Sequence, residues 1–90
     1  MEPLDADEII RDVGRRVAEL RAARSLTQAQ LAERADVSLK YLQRVEAGGE
    51  NLTIRSLVKL ASLLGVGVRE LFDSPRSRAA AKGATAGVVA

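Results

Sequence analysis

Apolar residues recur at helical spacing along this chain and divide it into five predicted helices. The first begins at a capping pair, Asp5 with Glu8, places Ile10, Val13, Val17 and Leu20 on one stripe, and runs to about Ala23. Its opposite side carries Arg11, Arg15 and Glu19, a solvated face. The second covers roughly 28–35 and turns Leu31, Ala32 and Ala35 inward; the third covers roughly 39–46 with Leu42 and Val45 inward and Val37 packing just before it. Gly48 and Gly49 then stop the chain, as glycines beyond a helix C-terminus do. The fourth starts from Thr53 as N-cap, presents Leu57, Leu60, Ala61 and Leu64, and ends at Gly65. A short fifth, near 68–72, offers Val68, Leu71 and Phe72. The pattern therefore predicts an all-α domain over residues 5–73, with a leader at 1–4.

The composition changes after Asp73. The segment SPRSRAAAKGATAGVVA contains Pro75, lacks apolar periodicity and carries Arg76, Arg78 and Lys82. Residues 74–90 are expected to form a flexible basic tail. No internal repeat is present.

The most informative stretch is TQAQLAERADVSLKYLQRVEAG, residues 27–48. Thr27 with Gln30 makes a Ser/Thr-x-x-Gln capping box, and Ser38 is an N-cap residue type for the helix that follows. Ala35, Asp36 and Val37 leave room for only a very short turn. Asp36 sits where the chain reverses, and Asp tolerates left-handed backbone better than most residues. Two short helices joined so tightly, the second with a polar outer face, is the layout that places a helix in the DNA major groove.

Composition narrows the possible chemistry. Ninety residues make one small domain with a thin core. Aromatic residues are 2% of the chain, Tyr41 and Phe72, so the core is expected to be aliphatic. With no Cys there is no thiolate metal site or nucleophilic thiol, and with no His the usual general base and the commonest zinc ligand are missing. No glycine-rich phosphate loop or paired carboxylate site is evident, so an enzyme and a cofactor are not expected. The acidic start has no apolar signal-peptide run, and the apolar stretch from Leu60 to Val68 is too short to span a bilayer. A cytoplasmic protein with no membrane contact is the expectation. The formal charge of +2 conceals an asymmetry: residues 1–12 carry −4 and the remainder +6. A basic body is compatible with a polyanionic partner, and equally with an ordinary solvated surface.

With Leu42 and Val45 inward, Leu39, Lys40, Gln43 and Arg44 project from the opposite and flanking sides of the third helix. Arg or Lys can reach guanine acceptors, Gln can pair with adenine, and Leu39 can pack on a thymine methyl. The same residues would also serve as the solvent side of an amphipathic helix. The caps, partner helix and turn length favour DNA reading.

The segments GRRVAELRAARSLTQAQLAERADVSLKYLQRVEAG at 14–48 and LTIRSLVKLASLLGVGVRELF at 52–72 resemble the Cro and phage-repressor type of helix-turn-helix regulator, often called XRE-type. The GGENLTIRSL connection is also similar to the controller proteins of restriction–modification systems. The resemblance implies a compact five-helix, lambda-repressor-like domain whose recognition helix is about 38–46. It further implies a homodimer on a roughly palindromic operator, with half-sites about 34 Å apart. By position it makes Leu39, Lys40, Gln43 and Arg44 base-reading residues. It gives Gln28 the roles of contacting backbone phosphate and bracing the recognition helix. Ser38, Tyr41, Asn51, Thr53 and Arg55 fall at or near the DNA backbone, Tyr41 being equally suited to packing at the core edge. Arg21 and Glu46 match a structural salt bridge whose energy need not be large. Three positions depart from the pattern: Ser25 and Asp36 stand where glycine is usual, and Leu39 where many relatives carry a polar side chain. The alternative function is an antitoxin or other protein-binding module that uses the surface of helices four and five. A dimer surface near Val66, Val68 and Phe72 is a further expectation.

Overall fold

The computed structural model describes residues 3–77. They form four α-helices, α1 (Ala6–Ala23), α2 (Gln28–Ala35), α3 (Leu39–Glu46) and α4 (Ile54–Leu64), followed by a 3-10 helix, Val68–Phe72. The architecture is all-helical, as expected, but the fifth element is 3-10 rather than α. It spans only five residues between Gly67 and Asp73, and its bonds close over three residues, from Glu70 N–H to Gly67 O at 3.0 Å and from Asp73 N–H to Glu70 O at 3.4 Å.

Local chemistry accounts for the helix boundaries. Asp5 Oδ1 accepts from the Asp7 and Glu8 N–H groups at the start of α1. Thr27 and Gln30 close a reciprocal capping box on α2, at 3.0 and 2.8 Å. Ser38 and Thr53 accept from Tyr41 N–H and Ser56 N–H at the starts of α3 and α4. Gly65 ends α4 in the left-handed region, with φ of 71°.

Two non-glycine residues also adopt positive φ, Ser25 and Asp36, both at 57°. These are the two turn positions at which glycine is expected from the resemblance. Asp36 belongs to a residue class that visits this region, whereas Ser25 has less local compensation. Left-handed backbone costs an L-residue about 1–2 kcal/mol, and glycine loses about 0.5–1 kcal/mol in extra unfolded-state freedom. Ser25→Gly is therefore expected to stabilise the domain by roughly 0.5–1 kcal/mol in thermal or urea unfolding. A lower melting temperature would contradict this.

The core is aliphatic. Val17, Leu31, Leu42, Val45, Leu64 and Leu71 are fully enclosed, with Val13, Leu57 and Leu60 beside them. Leu26, in the α1–α2 connection, joins the core although no periodic pattern points to it. Phe72, expected inward with Leu71, faces out and is 53% exposed. In the tight 3-10 turn only Leu71 of that pair reaches the centre. Val66 and Val68 are half-buried against the core.

Packing continues beyond Asp73. Pro75 is fully buried, and Ser77 donates its N–H to the Glu19 carboxylate. Glu19 is therefore held against its neighbours, with its side chain 16% exposed, and is not on a solvated face. Burial raises its carboxyl pKa, but the Ser77 and Arg76 backbone N–H groups and Arg16 more than offset this and hold it below the ordinary value. Arg16 also donates to Glu70 O at 2.8 Å, tying α1 to the 3-10 helix. Arg78, Lys82 and the rest of the segment to residue 90 lie outside the described residues, as do Met1 and Glu2.

Candidate nucleic-acid interface

α2 and α3 are joined by three residues. Asp36 takes the left-handed conformation, Val37 donates back to Ala32 O at 3.0 Å and packs against the core, and Ser38 is extended with φ of −71° and caps α3. The turn thus gives partners to the Ala32 and Glu33 carbonyls of α2 and to the Tyr41 amide of α3 within three positions. Little freedom remains in how the two helices meet.

One side of α3 is buried and the other is open. Leu42 and Val45 are enclosed, whereas Leu39, Lys40, Gln43 and Arg44 are all exposed, followed one turn later by Ala47. Positions 39, 40, 43, 44 and 47 form one continuous helical stripe. Among the described residues no hydrogen bond or ion pair engages the side chains of Lys40 or Gln43. The stripe therefore presents a cation, an amide and an alkyl group to whatever approaches.

A polar cluster fixes the far end of α3. The Glu46 carboxylate accepts from Arg21 Nε at 2.7 Å, Arg21 Nη2 at 3.0 Å and Gln28 Nε2 at 2.8 Å. Arg21 Nη1 also donates to Leu26 O at 2.8 Å. Four pieces of the chain meet here: α1, the α1–α2 connection, the start of α2 and the end of α3. The Arg21 and Glu46 side chains are only 18% and 6% exposed, so this is an enclosed bidentate pair and not a surface contact. Removing one partner of such a pair leaves the other charge enclosed and without its counter-ion, which costs more than a surface pair is worth.

α1 meets α3 at close range. A Cβ on Gly14 would lie 2.1 Å from Val45 O, and one on Gly48, where φ is 83°, would lie 2.7 Å from Arg11 Cγ. Both glycines are required by backbone approach. Neither stands out by hydrophobic period, but an isolated glycine inside an amphipathic helix is itself the signal of such a contact.

The remaining candidate residues lie on α3 or at its N-cap, on the α3–α4 connection and at the start of α4. Ser38 and Thr53 are exposed N-caps, and the Thr53 hydroxyl also donates to Ser56 Oγ at 3.0 Å. Asn51 and Arg55 are exposed, and no described residue pairs with them. Tyr41 is half-buried against the core with the Arg44 guanidinium 5.9 Å above its ring centroid. Its ring also borders a cavity of about 320 Å³ walled by Ala35, Val37, Leu42, Lys59 and Leu60. Arg44 Nε is engaged by Glu50 Oε2 at 2.7 Å. Glu50 was not among the residues singled out from sequence: an acid six positions beyond an arginine, past two glycines, has no local periodic signature. Among the described residues no cluster of Asp, Glu, His or Cys is arranged to hold a metal, and no helix is long and apolar enough to cross a membrane.

The chain matches a family model described as helix-turn-helix over residues 17–71. It is 41% identical over 56 residues to the immunity repressor protein of Bacillus phage phi105, a match that takes in 62% of this chain and 39% of the repressor. The chain thus spans well under half the length of that relative. Among solved structures it is similar to the restriction-modification controller protein C.AhdI from Aeromonas hydrophila, with a TM-score of 0.67, 36% identity, and 70% of this chain and 96% of that one covered. It is also similar to SinR, a master regulator for biofilm formation solved in complex with DNA, with a TM-score of 0.64, 32% identity, and coverage of 68% and 98%.

Proposed function

The chain belongs to the helix-turn-helix family, and from that premise we propose that it is a DNA-binding transcriptional regulator that reads double-stranded DNA with α3 in the major groove. The observation that carries this reading is the stripe Leu39, Lys40, Gln43 and Arg44, exposed on a helix whose other side is locked into the core. In the proposed complex Lys40 and Arg44 meet guanine acceptors, Gln43 meets adenine, and Leu39 covers a thymine methyl. Gln28 spends one amide N–H on Glu46 and keeps the other for a phosphate. Ser38 and Thr53 accept from backbone N–H groups at two helix starts, where the partial positive charge favours phosphate oxygens. Asn51, Arg55 and the hydroxyl of Tyr41 extend the phosphate-contacting rim. Capping and the exposed stripe of α3 support this use.

The regulator is proposed to act in the cytoplasm as a homodimer. Ile54 and Val58, one turn apart on α4, are exposed, the former by 77%, and Phe72 is exposed on the 3-10 helix. These side chains replace Val66 and Val68 as candidates for the two-fold contact, since the valines pack into the core. The exposed Ile54 and Val58 on α4 equally favour the second reading, a protein-binding module of antitoxin type, in which another chain covers them.

Selection of bound sequences from a random duplex pool tests the proposal. The expected product is a pair of inverted half-sites with centres about 34 Å, or one helical turn, apart. Recovery of a single unrepeated site would contradict the dimer. No enrichment over the starting pool would contradict sequence-specific reading.

A further inference from the structure

We infer that Glu50 is a specificity-determining positioning residue, which orients the Arg44 guanidinium for base reading and lowers affinity for unrelated DNA. This rests on the proposed use of α3. Arg44 is held on two sides: the Glu50 carboxylate takes its Nε at 2.7 Å, and the Tyr41 ring lies 5.9 Å beneath its centre. The loop that carries Glu50 is itself pinned to the helix, because Gly49 N–H donates to Arg44 O at 2.8 Å and Gly48 supplies the left-handed turn. Glu50 thus reaches back along the same turn of α3 from which Arg44 projects.

The consequence follows from the shape of the guanidinium. Its donors form a planar fork, and with Nε occupied the pair left to meet a partner is Nη1 with Nη2, the end-on edge. Two parallel donors match O6 and N7 of guanine. An unheld arginine would instead turn freely to the nearest phosphate, a contact that carries no sequence information. Glu50 also places a negative charge beside the groove-facing stripe, which disfavours every duplex alike. One carboxylate therefore reduces general affinity and raises discrimination.

Two variants separate these effects. Glu50→Gln keeps an oxygen acceptor for Arg44 Nε but removes the charge, whereas Glu50→Ala removes both. Affinities are measured for the duplex recovered by selection, for its single substitutions at each G·C pair, and for a scrambled duplex. The preference at each G·C pair is a ratio between two duplexes for one protein, so a partly unfolded variant does not distort it. Affinities for the scrambled duplex are compared per active protein, titrated against saturating DNA. Both variants are expected to bind the scrambled duplex several-fold more tightly, with a salt dependence steeper by up to about one contact. Glu50→Ala is expected to lose about fivefold or more of its preference at one G·C pair, the low end of what a bidentate arginine contributes. Glu50→Gln is expected to keep most of that preference. Wild-type discrimination in Glu50→Ala, or an equal loss in both variants, would overturn the positioning role. Arg44→Ala, measured alongside, must lose preference at the same pair. If it does not, base reading by Arg44 fails, and the role of Glu50 fails with it.

Discussion

Arg21→Ala is expected to destabilise the domain by about 3–5 kcal/mol, the range for removing one partner of an enclosed ion pair. Glu46 would keep only the Gln28 amide, and Leu26 O would lose its donor. The carboxylate is almost fully covered, so water does not readily replace the guanidinium. At roughly 4–8 °C per kcal/mol for a domain of this size, the melting temperature should fall by at least about 12 °C. Total stability of small domains is only about 5–15 kcal/mol, so the loss is a large share of it. Replacing both partners, as in Arg21→Met with Glu46→Leu, should cost far less, because no charge is then left uncompensated. Thermal melts of the single and double variants check this. A shift of less than about 3 °C for Arg21→Ala would mean that the pair behaves as a solvated surface contact. The functional weight of the cluster lies in where it sits, since it ties the end of α3 to α1 and α2.

Gly14→Ala is expected to destabilise, although helix propensity alone argues the opposite. In a helix interior alanine is favoured over glycine by about 1 kcal/mol. The added methyl, however, would sit 2.1 Å from Val45 O and 3.2 Å from Val45 C, both backbone atoms that no rotamer change can move. α1 and α3 must separate, and overpacking of this kind costs about 1–3 kcal/mol or more. The measured change also includes that propensity gain, so the clash must exceed about 1 kcal/mol for the variant to be less stable. A net loss of about 1–2 kcal/mol is expected, with weaker DNA binding as α3 shifts. Urea unfolding gives the sign directly. A more stable Gly14→Ala variant would show that the helices have room to adjust.

Helix boundaries were legible in the chain because they are set by local chemistry. Asp5, Thr27, Ser38 and Thr53 are caps whose acceptors lie two or three residues from their donors. Gly65 and Asp36 stop helices for reasons of φ alone. The exposed stripe on α3 was legible for the same reason, since burying Leu42 and Val45 determines where Lys40, Gln43 and Arg44 point. What escaped is non-local. The contact of Ser77 with Glu19 of α1 spans more than fifty residues, and it and the buried Pro75 lie inside a segment without apolar periodicity. The Gly14–Val45 approach and the Glu50–Arg44 contact depend on how helices and loops cross. Phe72 shows the limit of the apolar pattern: a hydrophobic residue beside a buried leucine points outward when the turn is 3-10.

The central claim is that the open face of α3 reads base sequence. Its most direct test compares the selected duplex with a scrambled duplex of equal length, using wild type and a Lys40→Ala, Gln43→Ala, Arg44→Ala triple variant. All three side chains are exposed, and only Arg44 has an ion pair, a partly solvated one worth at most about 1 kcal/mol. The triple variant should therefore melt within a few degrees of wild type. At about 1–3 kcal/mol for each good base contact, its preference for the selected duplex should fall by roughly a hundredfold or more. Affinity for the scrambled duplex should fall much less. A folded triple variant that keeps the wild-type preference would contradict the claim and move the reading surface away from α3.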